Sequence, residues 1–365
     1  IVKDTDLVVA THGRAFWILD DITPLYQMAD TREPVTLYHP RDTTSYRFYE
    51  WAEEEGAPGY VDYLMTGPVT LAFRHGEDAF GAKTRRLLDG GANPPAGVIL
   101  HYALAEKPEG DVTLTILDAE GNSVRTFSSA AEAGAKLPVE VGANRFVWDF
   151  RFEPPTALEN DKPEKQDPKA KAEARIALEE LAVRAVPGEY EARLTVGATT
   201  VMQRFAVLPD PRLPVTPEDL RAQFDLKRSI RDQVDEVHRT INQIRRLRKQ
   251  VESWEERAKA DDSHKSIVEA AGPLKEKLTA LEGELINTDP DKPQPGPAQL
   301  KEKLASLSAM IDESDDVPTQ GALGVFALLS EQAGSVQSRL HELLDGDVAA
   351  FNELVRASGL PAVGG

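Results

Sequence analysis

Three hydrophobic periodicities follow one another along the chain. In residues 6 to 21, DLVVATHGRAFWILDD, two apolar runs, Leu7 to Thr11 and Ala15 to Leu19, flank a His-Gly-Arg turn in which Gly13 is free to take positive φ. This predicts a β-hairpin, and because two strands alone are marginal in water it also predicts a sheet for them to join. From Thr31 to about Pro95 the pattern weakens into a Tyr-rich connector, with one further strand in VTLAFRHGEDAF at 69 to 80. GGANPP at 90 to 95 closes it, since Gly and Pro together mark a turn.

Residues 97 to 208 alternate with a period of two. GVILHYAL leads to DVTLTILDAEGNSVRTF, where Val112, Leu114 and Ile116 alternate with Thr113, Thr115 and Leu117 and DAEGN supplies the reversal. NRFVWDFRF, residues 144 to 152, sets Phe146, Trp148, Phe150 and Phe152 on one face and Arg145, Val147, Asp149 and Arg151 on the other. Tyr190, Ala192, Leu194 and Val196 alternate up to a turn at Gly197 to Thr199, and the chain returns through Phe205 and Val207. Roughly six short antiparallel strands with regular turns predict an immunoglobulin-like or fibronectin-like β-sandwich. A charged stretch at 159 to 182, ENDKPEKQDPKAKAEARIALEELA, interrupts it as a surface insertion, disordered at its Lys/Glu/Pro start and helical at its Ala-rich end.

LPDPRLPVTPEDL at 208 to 220 is a stiff Pro-rich linker. Thr216 is placed to cap a helix, with Pro217 at its first position and Glu218 and Asp219 in its first turn, where the macrodipole favours anions. Ile230, Val234, Val237, Ile241, Ile244, Val251 and Trp254 then follow the three-and-four spacing of a coiled-coil-like seam. A helix from 217 to about 258 would be about 60 Å long and could not bury that stripe alone. Further apolar helices are predicted over 267 to 286, around Leu300 to Ile311, over Pro318 to Leu344, and in DVAAFNELVRAS, capped by Asp347. The expected class is multidomain α+β: a hairpin segment at 1–33, an aromatic connector at 34–95, a sandwich at 96–210 with a charged insertion at about 155–186, and an antiparallel helical bundle at 211–365.

Composition narrows this picture. At 365 residues, 41% hydrophobic and 28% charged, the chain belongs with globular proteins of two or three domains. No apolar run reaches the roughly 20 residues of a membrane span, so membrane insertion is not expected. The net charge of −19 argues against nucleic acid or an anionic membrane as a partner; RRLRK at 245 to 249 is the local exception and reads as a solvated helix face. The absence of cysteine removes disulfides, thiolate catalysis and sulfur-ligated metals without fixing the compartment. The chain starts at Ile1 with no basic leader and apolar core, which reads as a boundary set either by processing or by artificial truncation.

DLVVATHGRAFWILDDITPL resembles the closing-blade segment of bacterial sortilin-like proteins with a BNR-repeat β-propeller, often labelled glycosyl hydrolases. GANPPAGVILHYAL, GANRFVWDFRF, PGEYEARLTVG and LPDPR resemble the Ig-like module that follows the propeller, and the helical C-terminus keeps the same order. The resemblance implies that 1–33 is the last blade segment of a ring whose other blades are absent from this chain. It also implies an extracellular, periplasmic or cell-envelope location.

Candidate chemistry is sparse. Glycoside hydrolysis commonly needs two convergent carboxylates; Asp20 and Asp21 are adjacent on a strand and point to opposite faces, so they read as a strand end entering a turn. His12 and Arg14 flank Gly13 at the hairpin tip, either as solvated turn residues or, on the propeller resemblance, as ligands for an anionic group at the propeller mouth. Tyr46, Tyr49, Trp51, Tyr60 and Tyr63 either stack on sugar rings or pack against the sandwich. Asp149 pairs with the arginines of its own strand face, and Trp148 belongs to the core. His238 and His341 lack a second ligand at helical spacing, so no metal is expected, and no phosphate loop or other cofactor motif is present. The expectation is a non-catalytic, monomeric binding or scaffolding region with a protein or glycan partner, the alternative being an accessory region of a propeller glycoside hydrolase whose catalytic carboxylates lie elsewhere.

Overall fold

The structure is a computed structural model. It describes residues 1–13, 16–30, 33–46, 57–66, 69–77, 83–88, 90–91, 94–131, 135–159, 168–259, 261–288 and 296–360. The chain is mixed α+β, with antiparallel sheets and a C-terminal helical region, and it divides into two compact units. Ile1–Glu153 with Lys171–Pro217 form the first, and Pro154–Ala170 with Glu218–Gly365 the second.

The first unit opens with β1 (Val2–Lys3), β2 (Asp6–Ala10) and β3 (Phe16–Leu19), joined in that order in one antiparallel sheet. Leu7 pairs with Leu19 and Ala10 with Phe16, and Gly13 takes a φ of 81° in the turn. Asp21 follows β3 at a φ of 53°, and its carboxylate accepts from the Thr23 N–H and hydroxyl at 3.1 and 2.6 Å. That Asx contact opens α1 (Thr23–Asp30), a two-turn helix too short to register as a period in the sequence.

The stretch read as a connector is richer than expected. It contains β4 (Val35–Leu37) and β5 (Thr43–Thr44), then a separate antiparallel meander of β6 (Val61–Thr66), β7 (Val69–Glu77) and β8 (Lys83–Leu87). β9 (Val98–Leu104), β10 (Val112–Asp118), β11 (Ser123–Ser128) and β12 (Gly142–Trp148) follow, then α2 (Pro168–Glu180), β13 (Gly188–Val196) and β14 (Thr199–Leu208). They build a five-stranded sheet in the order β11-β10-β13-β14-β5 and a three-stranded sheet in the order β12-β9-β4. β4 and β5 are two or three residues long and leave no periodic trace, so only tertiary pairing reveals them.

Alternate residues of both sheets meet in one core. Val98, Leu100, Tyr102, Val112, Leu114, Ile116, Trp148, Ala192, Leu194 and Phe205 are all buried there, each aliphatic or aromatic side chain contributing about 1.5–3 kcal/mol by leaving water. Trp148 lies 5.2 Å from Tyr190 and 5.9 Å from Phe150 between ring centroids. The predicted alternation through Phe146, Trp148 and Phe150 holds, but the strand stops at Trp148, because Phe150 turns to a φ of 63°. This kink is held by the Ala185 N–H on the Phe150 carbonyl at 2.6 Å and lets Trp148 Nε1 donate to the Arg151 carbonyl at 2.9 Å. The Ala-rich end of the charged stretch is helical, as α2, and is fixed by Arg125, which is buried and meets both Glu179 carboxylate oxygens at 2.9 and 2.7 Å.

The second unit is organised by α3 (Pro217–Ala258), whose bounds are those predicted from Pro217 and the seam. Ile230, Val234, Val237, Ile241, Ile244 and Val251 are buried, while Trp254 is half-buried beneath the Arg257 guanidinium. α4 (Lys265–Leu285), α5 (Leu300–Ile311), α6 (Gln320–Leu343) and α7 (Ala349–Ser358) supply the further apolar helices. Leu274, Leu278, Leu304, Leu307, Leu340 and Phe351 are buried. Asp347 does not cap the last helix: residues 344–348 continue α6 as a π-turn, and the Asp347 carboxylate instead meets Lys277 Nζ at 2.7 Å. Among the described residues no helix is long and apolar enough to cross a membrane.

Candidate functional site

Of the expected site residues, the structure describes His12, Tyr46, Tyr60 and Tyr63. His12 is exposed in the hairpin turn. Arg14, Tyr49 and Trp51 lie outside the described residues. Tyr46 is engaged within its own unit, its carbonyl accepting from Arg184 Nη2 at 2.6 Å and its ring lying 4.9 Å beneath the Arg212 guanidinium. Tyr60 and Tyr63 are exposed, Tyr63 at 70%. Asp20 follows the end of β3 and Asp21 starts the turn into α1, so neither is aimed with the other at one cleft. Asp149 lies 4.0 Å from Arg151 and 3.7 Å from Arg125, a partner on another strand that spacing did not suggest.

The β6–β8 meander brings together polar residues that the sequence reading passed over. Asp62 Oδ2 lies 3.1 Å from His75 Nε2 and 3.1 Å from Arg85 Nη2. The guanidinium of Arg85 stacks 4.4 Å above the Phe73 ring, and Tyr60 lies 5.7 Å from the His75 ring. Register explains the meeting: His75 opposes Arg85, and Phe73 opposes both Asp62 and Leu87, so alternate residues of three strands share one face. His75 is 4% exposed, and Asp62 of β6 reaches both other strands, at His75 of β7 and through its ion pair with Arg85 of β8. The opposite face carries Val61, Tyr63 and Met65 from β6, Arg74 from β7 and Arg86 from β8, and all but Val61 are exposed.

In the second unit a polar stripe on α3 binds an irregular segment at 154–159. Arg231, Asp235, His238, Asn242 and Arg245 recur at steps of four and three residues, beside the apolar seam. Arg231 donates to the Pro154 carbonyl at 3.1 Å, and Asp235 accepts from the Thr156 N–H at 2.6 Å. Asn242 donates to the Ala157 carbonyl at 2.9 Å and accepts from the Glu159 N–H at 2.8 Å. His238, 2% exposed, sets Nδ1 2.6 Å from the Thr156 carbonyl oxygen, which makes it a structural residue. Burial pushes its pKa below the ordinary value, helped by Lys301 and Arg245, against the opposing pull of the Thr156 bond and Asp235.

RRLRK is only partly the solvated face expected of it. Arg245 Nε and Arg248 Nη1 reach Glu282 at 2.6 and 2.5 Å, and Glu282 on α4 is 2% exposed. Arg246, between them, is solvated beside Glu159. The helical period gave no warning of Glu282, because a buried acid on an apolar stripe looks like an ordinary polar interruption. His341 is exposed on α6. Among the described residues no three His, Asp or Glu side chains gather as metal ligands. No protein-family model, curated protein or solved structure matches the chain.

Proposed function

We propose that this chain is a non-catalytic structural and binding region of a secreted or envelope-associated, sortilin-like β-propeller protein, working through protein–protein interaction. In this reading β1–β3 belong to a propeller blade whose other strands come from elsewhere in the same gene product. The two sheets with a common core form an Ig-like sandwich, and α3–α7 an antiparallel bundle.

One observation carries the proposal. β3 is FWIL, among the described residues it pairs as a strand with β2 alone, and Phe16, Trp17, Ile18 and Leu19 are exposed at 74, 56, 60 and 52%. An open apolar edge strand is a liability that natural sheets cover or charge, and a propeller blade covers both its edge and its faces. The test is amide exchange at Phe16–Leu19 in this chain and in the whole gene product. Strong protection in the whole product alone is expected; equally fast exchange in both would sink the blade reading.

A second reading, an accessory region of a propeller glycoside hydrolase acting on polysaccharide, draws on the exposed Tyr60 and Tyr63 rings, which are available to stack on sugars. Titration with neutral oligosaccharides, read by tyrosine and tryptophan fluorescence, separates the two. A flat response leaves the protein-binding reading.

A further inference from the structure

Arg74 on β7 lies directly opposite Arg86 on β8. Directly opposed residues hold their Cβ atoms about 5 Å apart, where like charges destabilise a sheet. Both side chains are exposed, and among the described residues neither has an ion-pair or hydrogen-bond partner. Several other arginines are paired: Arg85 meets Asp62, Arg193 meets Glu191, Arg212 meets Asp210 and Arg339 meets Glu284; Arg74 and Arg86 differ in facing each other directly. In a chain with 61 acidic and 42 basic residues, two facing arginines without carboxylates are not what sheet stability selects.

Beside the arginines the same face carries Tyr63, Met65, Ala72 and Leu88, with Thr70 and Thr84 toward its ends. Tyr63 opposes Ala72, one row from the arginines, Leu88 donates its N–H to the Ala72 carbonyl, and Met65 follows at 76% exposure. Arg, Tyr and Met are the residue types enriched at the centres of protein interfaces, where Lys, Glu and Asp are depleted.

We infer that this outer meander face binds an acidic, partly apolar segment of a partner polypeptide. Its carboxylates sit between the Arg74 and Arg86 guanidiniums, which offer the planar forks that carboxylates fit, and its apolar side chains cover Tyr63, Met65 and Leu88. The net charge of −19 repels a long polyanion, whereas a carboxylate within a Debye length of the arginine pair feels the local attraction. The charge balance therefore favours a short peptide with one or two acidic residues over nucleic acid or a polyuronate. The inference rests on the protein-binding half of the proposed function and is independent of the blade.

The probe is a fluorescein-labelled peptide of about ten residues in which two glutamates alternate with leucines, titrated into the full chain beside a counterpart with lysine at both glutamates. The glutamate peptide is expected to bind, more weakly in high salt, and to lose about tenfold in affinity with Arg74→Ala or Arg86→Ala. Arg204→Ala, an exposed arginine on β14, is expected to leave binding unchanged. Arg74→Glu separates binding from folding, because it faces Arg86 with opposite charge: amide exchange in β7 and β8 should slow while peptide binding disappears. Equal affinity for both peptides, undiminished binding by the Arg74→Ala/Arg86→Ala double variant, or a preference for oligogalacturonate or single-stranded DNA would overturn the inference. Failure here would leave the exchange behaviour of Phe16–Leu19, and with it the blade reading, unaffected.

Discussion

Asp235 and His238, one turn apart on α3, close on a single residue: the Asp235 carboxylate accepts the Thr156 N–H at 2.6 Å, and His238 Nδ1 lies 2.6 Å from the Thr156 carbonyl. A carbonyl oxygen only accepts, so Nδ1 carries the proton of the neutral ring. Nε2 is then a buried lone pair, with no hydrogen-bond partner among the described residues. A second proton on the ring would place an N–H in that closed space.

This fixes the sign of a pH dependence. The folded-state pKa of His238 lies below its ordinary 6.5, so the unfolded chain binds the proton first, and the stability this site contributes is complete above about pH 6.5 and falls as the pH drops toward the folded value. Burial also opposes ionisation of Asp235, but the Thr156 hydrogen bonds and the charges of Arg239 and Arg231 outweigh it, so its contribution is lost only at pH values below the ordinary 3.8. Amide protection at Thr156 and Glu159, corrected for intrinsic exchange, is expected to fall between pH 6.5 and 5. His238→Asn, which keeps a donor near Nδ1 but does not titrate, should flatten that fall; an unchanged slope would remove His238 as its cause.

Glu282 holds two guanidiniums from a closed position. Glu282→Ala removes the buried carboxylate that Arg245 and Arg248 share, and is expected to cost about 3 kcal/mol by denaturant unfolding of the helical unit. Arg246→Ala, in the same basic run but solvated, is expected to stay within about 0.5 kcal/mol of the parent.

Phe150 reverses an ordinary ranking. Its φ of 63° costs an L-residue about 1–2 kcal/mol, and its ring is 1% exposed in the core. Phe150→Ala loses the ring and keeps the strain, for a cost of about 3–5 kcal/mol. Phe150→Gly loses the ring and releases the strain, so thermal unfolding should find it no less stable than the alanine variant, although glycine elsewhere in a strand is the worse of the two.

Gly97 stands where β9 begins beside the end of β12. A Cβ there would meet the Trp148 carbonyl oxygen at 2.3 Å and Val147 Cγ1 at 2.7 Å. Gly97→Ala therefore forces backbone apart, and an expected loss of about 1–3 kcal/mol is checked by calorimetry together with near-ultraviolet dichroism of the Trp148 cluster. Gly188→Ala, with no atom near its Cβ position, is the control.

What the sequence determined by itself is periodic and local. Long runs write their period many times over, so the α3 seam from Ile230 to Val251, its start at Pro217, the inward alternation of Tyr190, Ala192 and Leu194, and the hairpin about Gly13 were all legible. The tertiary structure decided what depends on partners distant in sequence. β4 and β5 are too short to carry a period and exist because β9 and β14 offer free edges. Asp62, His75 and Arg85 meet only through the register of three strands, and Glu282 finds Arg245 only when α4 lies against α3. The stripe of Asp235, His238 and Asn242 was written in the helix at the same spacing as the apolar seam, but a polar stripe ordinarily faces water. Here it faces the backbone of 154–159, whose N–H and C=O groups find part-buried hydrogen-bond partners on α3.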